Sequence, residues 1–317
     1  MPADPPAAPT LHDRALGAYL GLAIGDALGA TVEFMTPREI RLQHGVHREV
    51  VGGGWLKLEA GEVTDDTTMS LALGDALLRG AREGRLHDTT LIAEAFVAWW
   101  RGKPVDCGNT CRRGILRYLH EGSLAGPLNE GDGGNGALMR NLPTALATLG
   151  DDAAFERVSL AQAHITHHHA TSDAAVLGLG HLLRDLLAGA GPVATGARIA
   201  ALVAAWPVFR FAPYRGRASA YVVDTVQTVL HCFTQHHDFE AAVVAAVNQG
   251  DDADTTGALV GMLAGARCGG AALPPAWLNR LQPAVVRAVR TQAAALLALA
   301  QRQPAIVGPT TPVESTP

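Results

Sequence analysis

The sequence has little of what marks nucleic-acid binding, secretion or membrane insertion. Of its 317 residues only 5% are aromatic, 17% are charged, and the net charge is -5. Such a chain lacks the basic surface and the stacking platforms that nucleic acids require. The first ten residues lack the basic-then-apolar order of a signal peptide, and no run of 18 apolar residues predicts a membrane span. We therefore expect a cytoplasmic protein with no nucleic-acid partner and no transmembrane segment.

Cysteine is also scarce. The four cysteines, Cys107, Cys111, Cys232 and Cys268, form no C-x-x-C pair. Their spacing therefore does not predict a zinc site of the cysteine type or a dithiol redox motif. Reduced thiols in the cytosol are the simplest interpretation.

Strand-like alternation is rare, and the apolar pattern is helical almost throughout. With 48% hydrophobic residues, the chain can bury a large core. Apolar residues recur at three- and four-residue spacing in 14–30, 67–80, 88–101, 110–120, 153–164, 172–188, 195–205, 218–234, 239–248, 256–267 and 283–301. We predict an all-α fold, a single compact multi-helix domain over residues 11–302. The Pro-rich segments 1–10 and 303–317 are predicted to be disordered.

The first predicted helix carries a glycine on one face at every fourth position: Gly17, Gly21, Gly25 and Gly29. A glycine in a helix costs about 1 kcal/mol relative to alanine. Close approach of another backbone would offset that cost, so the stripe predicts tight packing against a second helix.

Two acidic runs lie far apart in the chain. The first is Thr64-Asp65-Asp66-Thr67, and the second is Asp251-Asp252-Ala253-Asp254-Thr255-Thr256. Each precedes an alanine-rich stretch that is predicted to be helical. Carboxylates and hydroxyls are hard oxygen ligands that suit Mg²⁺, Mn²⁺ or Ca²⁺. The alternative is ordinary helix capping, although a cap needs one acceptor rather than three in four residues.

Three further polar residues are candidates for chemistry. Glu33 sits in an apolar segment, so its carboxylate is either paired or functional. Asp106 precedes a predicted helix start, where capping is the common role. Asn109 is equally compatible with a turn.

The segment from Glu130 to Met139 is rich in glycine, and the run from His164 to His169 is rich in histidine. A glycine-rich loop allows backbone N–H groups to approach an anion, or it is a flexible connector. The histidines have no carboxylate beside them in the sequence and no H-E-x-x-H pattern. They therefore favour a substrate contact or a helix end over a zinc site.

In this order, the motifs GLAIGDALGATVEF, VTDDTTMSLAL, GNGALMR, AYVVDTVQTVL and NQGDDADTTGALVGMLAGA resemble those of the ADP-ribosylglycohydrolase family. The resemblance extends from about residue 12 to 299. The segments PVDCGNTCRRGI and SAYVVDTVQTVLH resemble a subgroup that acts on ADP-ribosylated dinitrogenase reductase, the iron protein of nitrogenase.

The resemblance implies an all-helical hydrolase that holds two Mn²⁺ or Mg²⁺ ions and removes ADP-ribose from arginine. The implied metal ligands are Thr64, Asp65, Asp66, Asp252, Asp254 and Thr255. The implied catalytic residues are Asp106 and Glu33. The implied substrate contacts are Asn109, Glu130, Gly133, Gly134, Asn135, Gly136, Met139, His167 and Tyr221. One departure is Asp251, which stands where many members have glycine and is expected to point outward.

The resemblance also implies PII-type nitrogen-signalling proteins as partners and reversible peripheral attachment to the membrane. Two rival functions share the fold. One is hydrolysis of O-linked ADP-ribose, on serine or in O-acetyl-ADP-ribose. The other is ADP-ribose binding without turnover, since one fold hosts several functions.

Overall fold

Fourteen α-helices and no β-strand occur among residues 8–302, the part of the chain that this computed structural model describes. The helices are α1 (Leu11–Gly29), α2 (Pro37–His44), α3 (Asp65–Arg82), α4 (Thr89–Arg101), α5 (Asn109–Glu121), α6 (Leu142–Ala147), α7 (Asp152–His164), α8 (Ala170–Leu187), α9 (Pro192–Ala205), α10 (Val222–Gln235), α11 (Phe239–Val247), α12 (Ala253–Cys268), α13 (Pro275–Leu278) and α14 (Pro283–Arg302). The predicted all-α class is confirmed.

The segments predicted to be disordered lie outside the described residues, except for residues 8–10. Of these three residues, Thr10 is the N-cap residue of α1. Its hydroxyl accepts a hydrogen bond from the backbone N–H of Asp13 at 3.2 Å, which caps the helix.

The glycine stripe of α1 packs directly against the backbone of α12. A Cβ atom added at Gly21 would lie closer than 3.0 Å to the carbonyl oxygen of Gly261, and one added at Gly25 would meet that of Gly257 in the same way. Glycines of α12 face those of α1 reciprocally, so neither helix has side chains between the two backbones. The predicted close packing is confirmed.

This helix pair forms the centre of the molecule. Every residue of α12 from Ala253 to Ala266 is buried, and so is every residue of α1 from Gly17 to Gly29. Helices α3, α8, α10, α11 and α14 contact one or both members of the pair. An apolar surface on all sides is what a helix at the centre of a core requires.

Among the described residues, α14 is long and apolar enough to cross a membrane by length and composition alone. Length and composition alone are weak evidence for a membrane span, because buried core helices of soluble proteins share both properties. Its buried side, which includes Val289, Ala293 and Leu296, packs on the core.

Three short helices, α2, α6 and α13, were not predicted from the sequence. Helix α2 buries only Ile40, so it shows little apolar periodicity. Its start is set by a capping box, in which Thr36 and Glu39 exchange hydrogen bonds, and by Pro37 in the first turn. Helix α6 is six residues long and wholly buried, so it has no polar face to reveal its period.

We predict that Gly21→Ala destabilises the protein, because the new methyl group would force α1 and α12 apart. Overpacking of this kind costs about 1–3 kcal/mol. Gly196→Ala is the matched control: Gly196 lies on the exposed face of α9, where an added Cβ meets nothing within 4 Å. It should stabilise by about 0.5–1 kcal/mol. Urea unfolding of both variants measures the difference, and equal effects would contradict the prediction.

Candidate functional site

The two acidic runs lie side by side at the N-terminal ends of α3 and α12. Asp65 and Asp66 occupy the first turn of α3, and Asp252 immediately precedes α12. The hydroxyl of Thr255 donates a hydrogen bond to Asp66 Oδ2 at 3.0 Å, which joins the two runs directly. All four side chains are buried. The fold therefore brings both runs to one place.

Glu33 lies beside this cluster, in the segment that follows α1. One carboxyl oxygen from each of Glu33, Asp252 and Asp254 lies within 4.8 Å of the others. Glu33 is 5% exposed, and its Oε2 accepts a hydrogen bond from the indole Nε1–H of Trp55 at 2.6 Å. The sequence left open whether this carboxylate is paired or functional. It has a neutral donor and lies against other carboxylates, and no Lys, Arg or His among residues 8–302 forms an ion pair with it.

Asp26 ties the first acidic run to α1. Its carboxylate accepts hydrogen bonds from the backbone N–H groups of Thr64 at 2.9 Å and Thr67 at 3.1 Å, and from the Thr67 hydroxyl at 2.5 Å. Asp26 is fully buried. It therefore fixes the start of α3 against the central helix pair.

Burial raises the pKa of each carboxyl group in the cluster, and neighbouring carboxylates raise it further. The pKa of Asp65 rises to about 7, that of Asp252 to about 6 and that of Glu33 to about 8. The pKa values of Asp66 and Asp254 also lie well above the ordinary value, mainly because both are buried. Without a cation, the cluster must hold protons or bear repulsion between like charges.

Capping explains only part of the acidic runs. The Thr64 hydroxyl does cap α3, by accepting from the Asp66 N–H at 3.4 Å. Asp252 occupies the N-cap position of α12 but makes no capping hydrogen bond with its side chain. Asp66 Oδ1 is buried and has no hydrogen-bond partner among residues 8–302. An oxygen without a donor, within an all-oxygen set of raised pKa, suits a hard divalent cation.

A cavity of about 520 Å³ opens over the carboxylates. Most of the sequence-predicted site residues line it: Glu33, Asp65, Asp106, Asn109, Gly134, Asn135, Gly136, Met139, His167, Asp252, Asp254 and Thr255. Thr64 and Asp66 are buried among the carboxylates and do not reach the cavity wall.

Three predicted substrate contacts do not line this cavity. The side chain of Glu130 is 96% exposed, and its Oε2 lies 3.4 Å from His169 Nε2. Tyr221 is 47% exposed and pairs through its backbone with Gly134. Gly133 accepts a hydrogen bond from the backbone N–H of Val222.

Asp106 does not cap a helix. Helix α5 begins at Asn109, and its N-cap residue is Gly108, without a capping side chain. Asp106 is half-buried in the cavity wall, and burial raises its pKa. The backbone N–H of Gly108 donates to Asp65 Oδ2 at 3.3 Å, so the loop that carries Asp106 is joined to the carboxylate cluster.

The glycine-rich loop is pinned to the cluster rather than serving as a flexible connector. The side-chain amide of Asn135 donates to Asp252 Oδ2 at 2.5 Å and to the Thr225 hydroxyl at 3.0 Å. A Cβ atom at Gly136 would lie 2.9 Å from both Cys111 Sγ and His167 Cε1. Glycine is therefore required there by close approach.

The histidine run divides between two environments. His167 is buried in the cavity wall, and burial holds its pKa well below the ordinary value, so its ring is neutral near pH 7. His164 ends α7, as expected for a helix-end histidine.

The fold brings a carboxylate to the other histidines, although none stands beside them in the sequence. Asp173 of α8 places Oδ2 at 2.9 Å from His164 Nε2. However, the His164 and His168 rings are stacked, with centroids 3.9 Å apart and planes 25° apart. Nearly parallel rings do not direct their in-plane lone pairs at one ion, so this cluster gives no support to a zinc site.

Sequence reasoning overlooked three residues at the site. Phe34 and Trp55 line the cavity. Nothing in the sequence Gly52-Gly53-Gly54-Trp55 indicates that the tryptophan has that role. Asp26 could have been found, because it is a charged residue in an apolar helix, where a carboxylate must be satisfied.

Comparison with known proteins adds independent information. The sequence profile described as ADP-ribosylglycohydrolase matches residues 7–306. The ADP-ribosyl-[dinitrogen reductase] glycohydrolase of Rhodospirillum rubrum is 56% identical over 292 residues, which cover 92% of this chain and 98% of that protein. The ADP-ribosylarginine hydrolase Tri1 of Serratia proteamaculans is 34% identical, over 85% of this chain and 75% of that protein. A solved structure titled ADP-ribosylglycohydrolase-related protein complex superposes with a TM-score of 0.79 and 33% identity, and covers 92% of this chain and 99% of that one.

We predict that the metal-free protein loses thermal stability as the pH rises through neutrality. The folded-state pKa values of Asp252 and Asp65, about 6 and about 7, exceed the ordinary value of 3.8. Their contribution to the free energy of unfolding is therefore fully present below pH 3.8. It is lost as the pH rises through the folded-state pKa values of about 6 and about 7. Mn²⁺ should raise Tm more at pH 8 than at pH 6, because it binds the deprotonated ligands.

The matched variants are Asp66→Asn, which removes one buried titratable carboxyl group, and Glu240→Gln on the exposed side of α11. Asp66→Asn should reduce both the pH dependence and the Mn²⁺ response, whereas Glu240→Gln should change neither. Thermal scans at several pH values provide the measurement. A Mn²⁺ response that is equal in all three proteins would place the cation elsewhere.

Proposed function

The chain belongs to the ADP-ribosylglycohydrolase family, and from that premise we propose that it removes ADP-ribose from an arginine of ADP-ribosylated dinitrogenase reductase, the iron protein of nitrogenase. The observation that carries this proposal is the buried carboxylate cluster beneath a cavity whose wall includes Glu33 and Asp106. The printed name of the Rhodospirillum rubrum relative supports the target protein, and that of Tri1 supports arginine as the linkage.

We assign two Mn²⁺ or Mg²⁺ ions to the cluster. The proposed ligands are Thr64, Asp65, Asp66, Asp252, Asp254 and Thr255, with Glu33 beside them. The partnerless Asp66 Oδ1 and the raised pKa values support this assignment. When bound, such ions supply Lewis acidity and a template for oxygen atoms of the substrate.

Asp106 is the proposed general acid or base. Cleavage of the N-glycosidic bond requires a proton on the departing guanidine and the loss of one from the attacking water. Asp106 faces the cavity, is not among the proposed ligands, and has a raised pKa because it is half-buried. Such a carboxyl group can hold or release a proton closer to neutrality than an exposed aspartate can.

ADP-ribose is assigned to the wall formed by Asn109, the loop from Gly134 to Gly136, Met139 and His167. Its diphosphate is an anion, which carboxylates repel and backbone N–H groups of a glycine-rich loop favour. Glu130, Gly133 and Tyr221 lie outside the cavity wall, so we assign them to the rim, where they would meet the outer part of the nucleotide.

Two rival functions lead to different results in one assay. Hydrolysis of O-linked ADP-ribose, on serine or in O-acetyl-ADP-ribose, would use the same carboxylate cluster. It would not require the cavity wall to bind the guanidinium group of an arginine. An ADP-ribose-binding protein without turnover does not require Asp106. Regulation by PII-type proteins and reversible membrane attachment stay predictions.

We predict that Asp106→Asn lowers kcat by roughly 10²-fold or more, the usual scale for loss of a general acid or base. The amide keeps the shape of the side chain, so Tm should stay near that of the unaltered protein. Glu240→Gln is the control, since Glu240 lies on the exposed side of α11 and does not line the cavity. Near-normal turnover by Asp106→Asn would assign the proton transfer to another group, with Glu33 the next candidate.

We predict release of ADP-ribose from arginine-ADP-ribosylated dinitrogenase reductase in the presence of Mn²⁺, with little release from serine-linked peptides. The guanidinium cation of arginine suits the oxygen acceptors of Glu33 and Asp106, whereas the glycosidic oxygen of a serine-linked substrate carries no charge to pair with them. Parallel assays at equal Mn²⁺ measure kcat/KM for both linkages. Comparable values would overturn the assignment of arginine, and binding of ADP-ribose without any turnover would favour the non-catalytic alternative.

A further inference from the structure

Two large aromatic side chains in the cavity wall have no task in the chemistry described above. Phe34 is 63% exposed and Trp55 is 51% exposed, although both line the cavity. Their ring centroids lie 5.2 Å apart, with an angle of 49° between the planes. Exposed aromatic rings beside a buried polar cluster indicate a surface that a ligand covers.

Trp55 is joined to the site by a hydrogen bond as well as by its ring. Its indole Nε1–H donates to Glu33 Oε2 at 2.6 Å, so one carboxyl oxygen of Glu33 is held by a neutral donor. Glu33 is 5% exposed and lies against Asp252 and Asp254. The orientation of its other oxygen is therefore set by Trp55.

The backbone holds Trp55 in this position. Gly53 and Leu58 exchange backbone hydrogen bonds of 2.8 and 2.9 Å, which closes a tight turn around the tryptophan. Gly54 has a φ of 67°, in the left-handed region, and a Cβ atom there would collide with the carbonyl oxygen of Ala30. The turn is thus packed against the segment that leads into Glu33.

The chemistry of this part of the wall suits a guanidinium group. A guanidinium is planar, cationic and weakly hydrated, and it stacks on aromatic faces. Here two aromatic rings line the same cavity as the carboxyl groups of Glu33 and Asp106, and Trp55 is hydrogen-bonded to Glu33. The described wall of this cavity has no Lys or Arg to pair with the anionic diphosphate of ADP-ribose.

We propose that Trp55 is a positioning residue for Glu33 and that its ring, together with Phe34, binds the arginine from which ADP-ribose is removed. This inference rests on the proposed arginine-linked substrate. The Trp55 side chain thus has two separable roles: its N–H group orients Glu33, and its ring contacts the arginine.

The test compares Trp55→Phe, Trp55→Leu and Phe34→Leu on ADP-ribosylarginine with Mn²⁺. Trp55→Phe retains an aromatic ring but loses the N–H group, so kcat should fall about tenfold or more with KM within twofold. Trp55→Leu should lower kcat equally and also raise KM by about 3- to 30-fold. Phe34→Leu should raise KM with little change in kcat.

Calorimetry with ADP-ribose alone supplies the second readout, and its Kd should stay within twofold in all three variants. Trp206→Leu is the matched control, because Trp206 is 37% exposed and does not line this cavity. A weaker Kd for ADP-ribose in Trp55→Leu would place the nucleotide on the ring and overturn the inference. Unchanged kcat and KM in the Trp55 variants would overturn it as well.

The unaltered protein distinguishes this inference from the proposed function. If it does not release arginine from ADP-ribosylarginine, the proposed function fails and the assignment of Trp55 fails with it. If it does, the variants alone decide the role of Trp55.

Discussion

The direct backbone contact between α1 and α12 is the constraint on which the rest of the structure depends. Because glycines face each other, the two helices approach without intervening side chains, and a Cβ at Gly29 would meet the carbonyl oxygen of Ala253 at the start of α12. That end of the pair carries the site. Asp26 of α1 holds the start of α3, and Asp252 and Asp254 stand at the start of α12. A wider helix separation would move the two acidic runs apart.

The carboxylate cluster opposes folding, and the surrounding donors offset only part of that cost. Asp26 receives hydrogen bonds from backbone and hydroxyl groups, and Asp252 receives one from Asn135. Within the described part of the chain, Asp66 has a single side-chain donor, Thr255, and its other carboxyl oxygen has none. Buried carboxyl groups with too few donors are destabilising unless protonated or bound to a cation. The same shortage of donors that strains the metal-free protein is therefore what makes the cluster a candidate ligand set.

Local patterns in the sequence predicted the helices with clear apolar periodicity, the helix contact and the candidate ligands. These patterns did not predict the features that depend on contacts between residues far apart in the sequence. The predicted helix 218–234 begins only at Val222, because Tyr221 is extended and pairs with Gly134. Asp173 approaches His164 from another helix. Trp55 reaches Glu33 because a turn packs on the segment after α1, and no short sequence motif encodes that contact.

Asp251 shows how a departure from the family pattern can preserve the backbone next to the site. Its φ is 50°, in the left-handed region that favours glycine but that aspartate tolerates better than most residues. Its backbone N–H donates to the carbonyl oxygen of Met35 at 2.9 Å, and its own carbonyl accepts from the Phe34 N–H at 2.6 Å. The side chain is exposed and is not part of the cavity wall, although its charge helps to raise the pKa of Asp252. The backbone of residue 251 thus joins the start of α12 to the segment that carries Glu33 and Phe34. Any residue that adopts this conformation can make the same two hydrogen bonds.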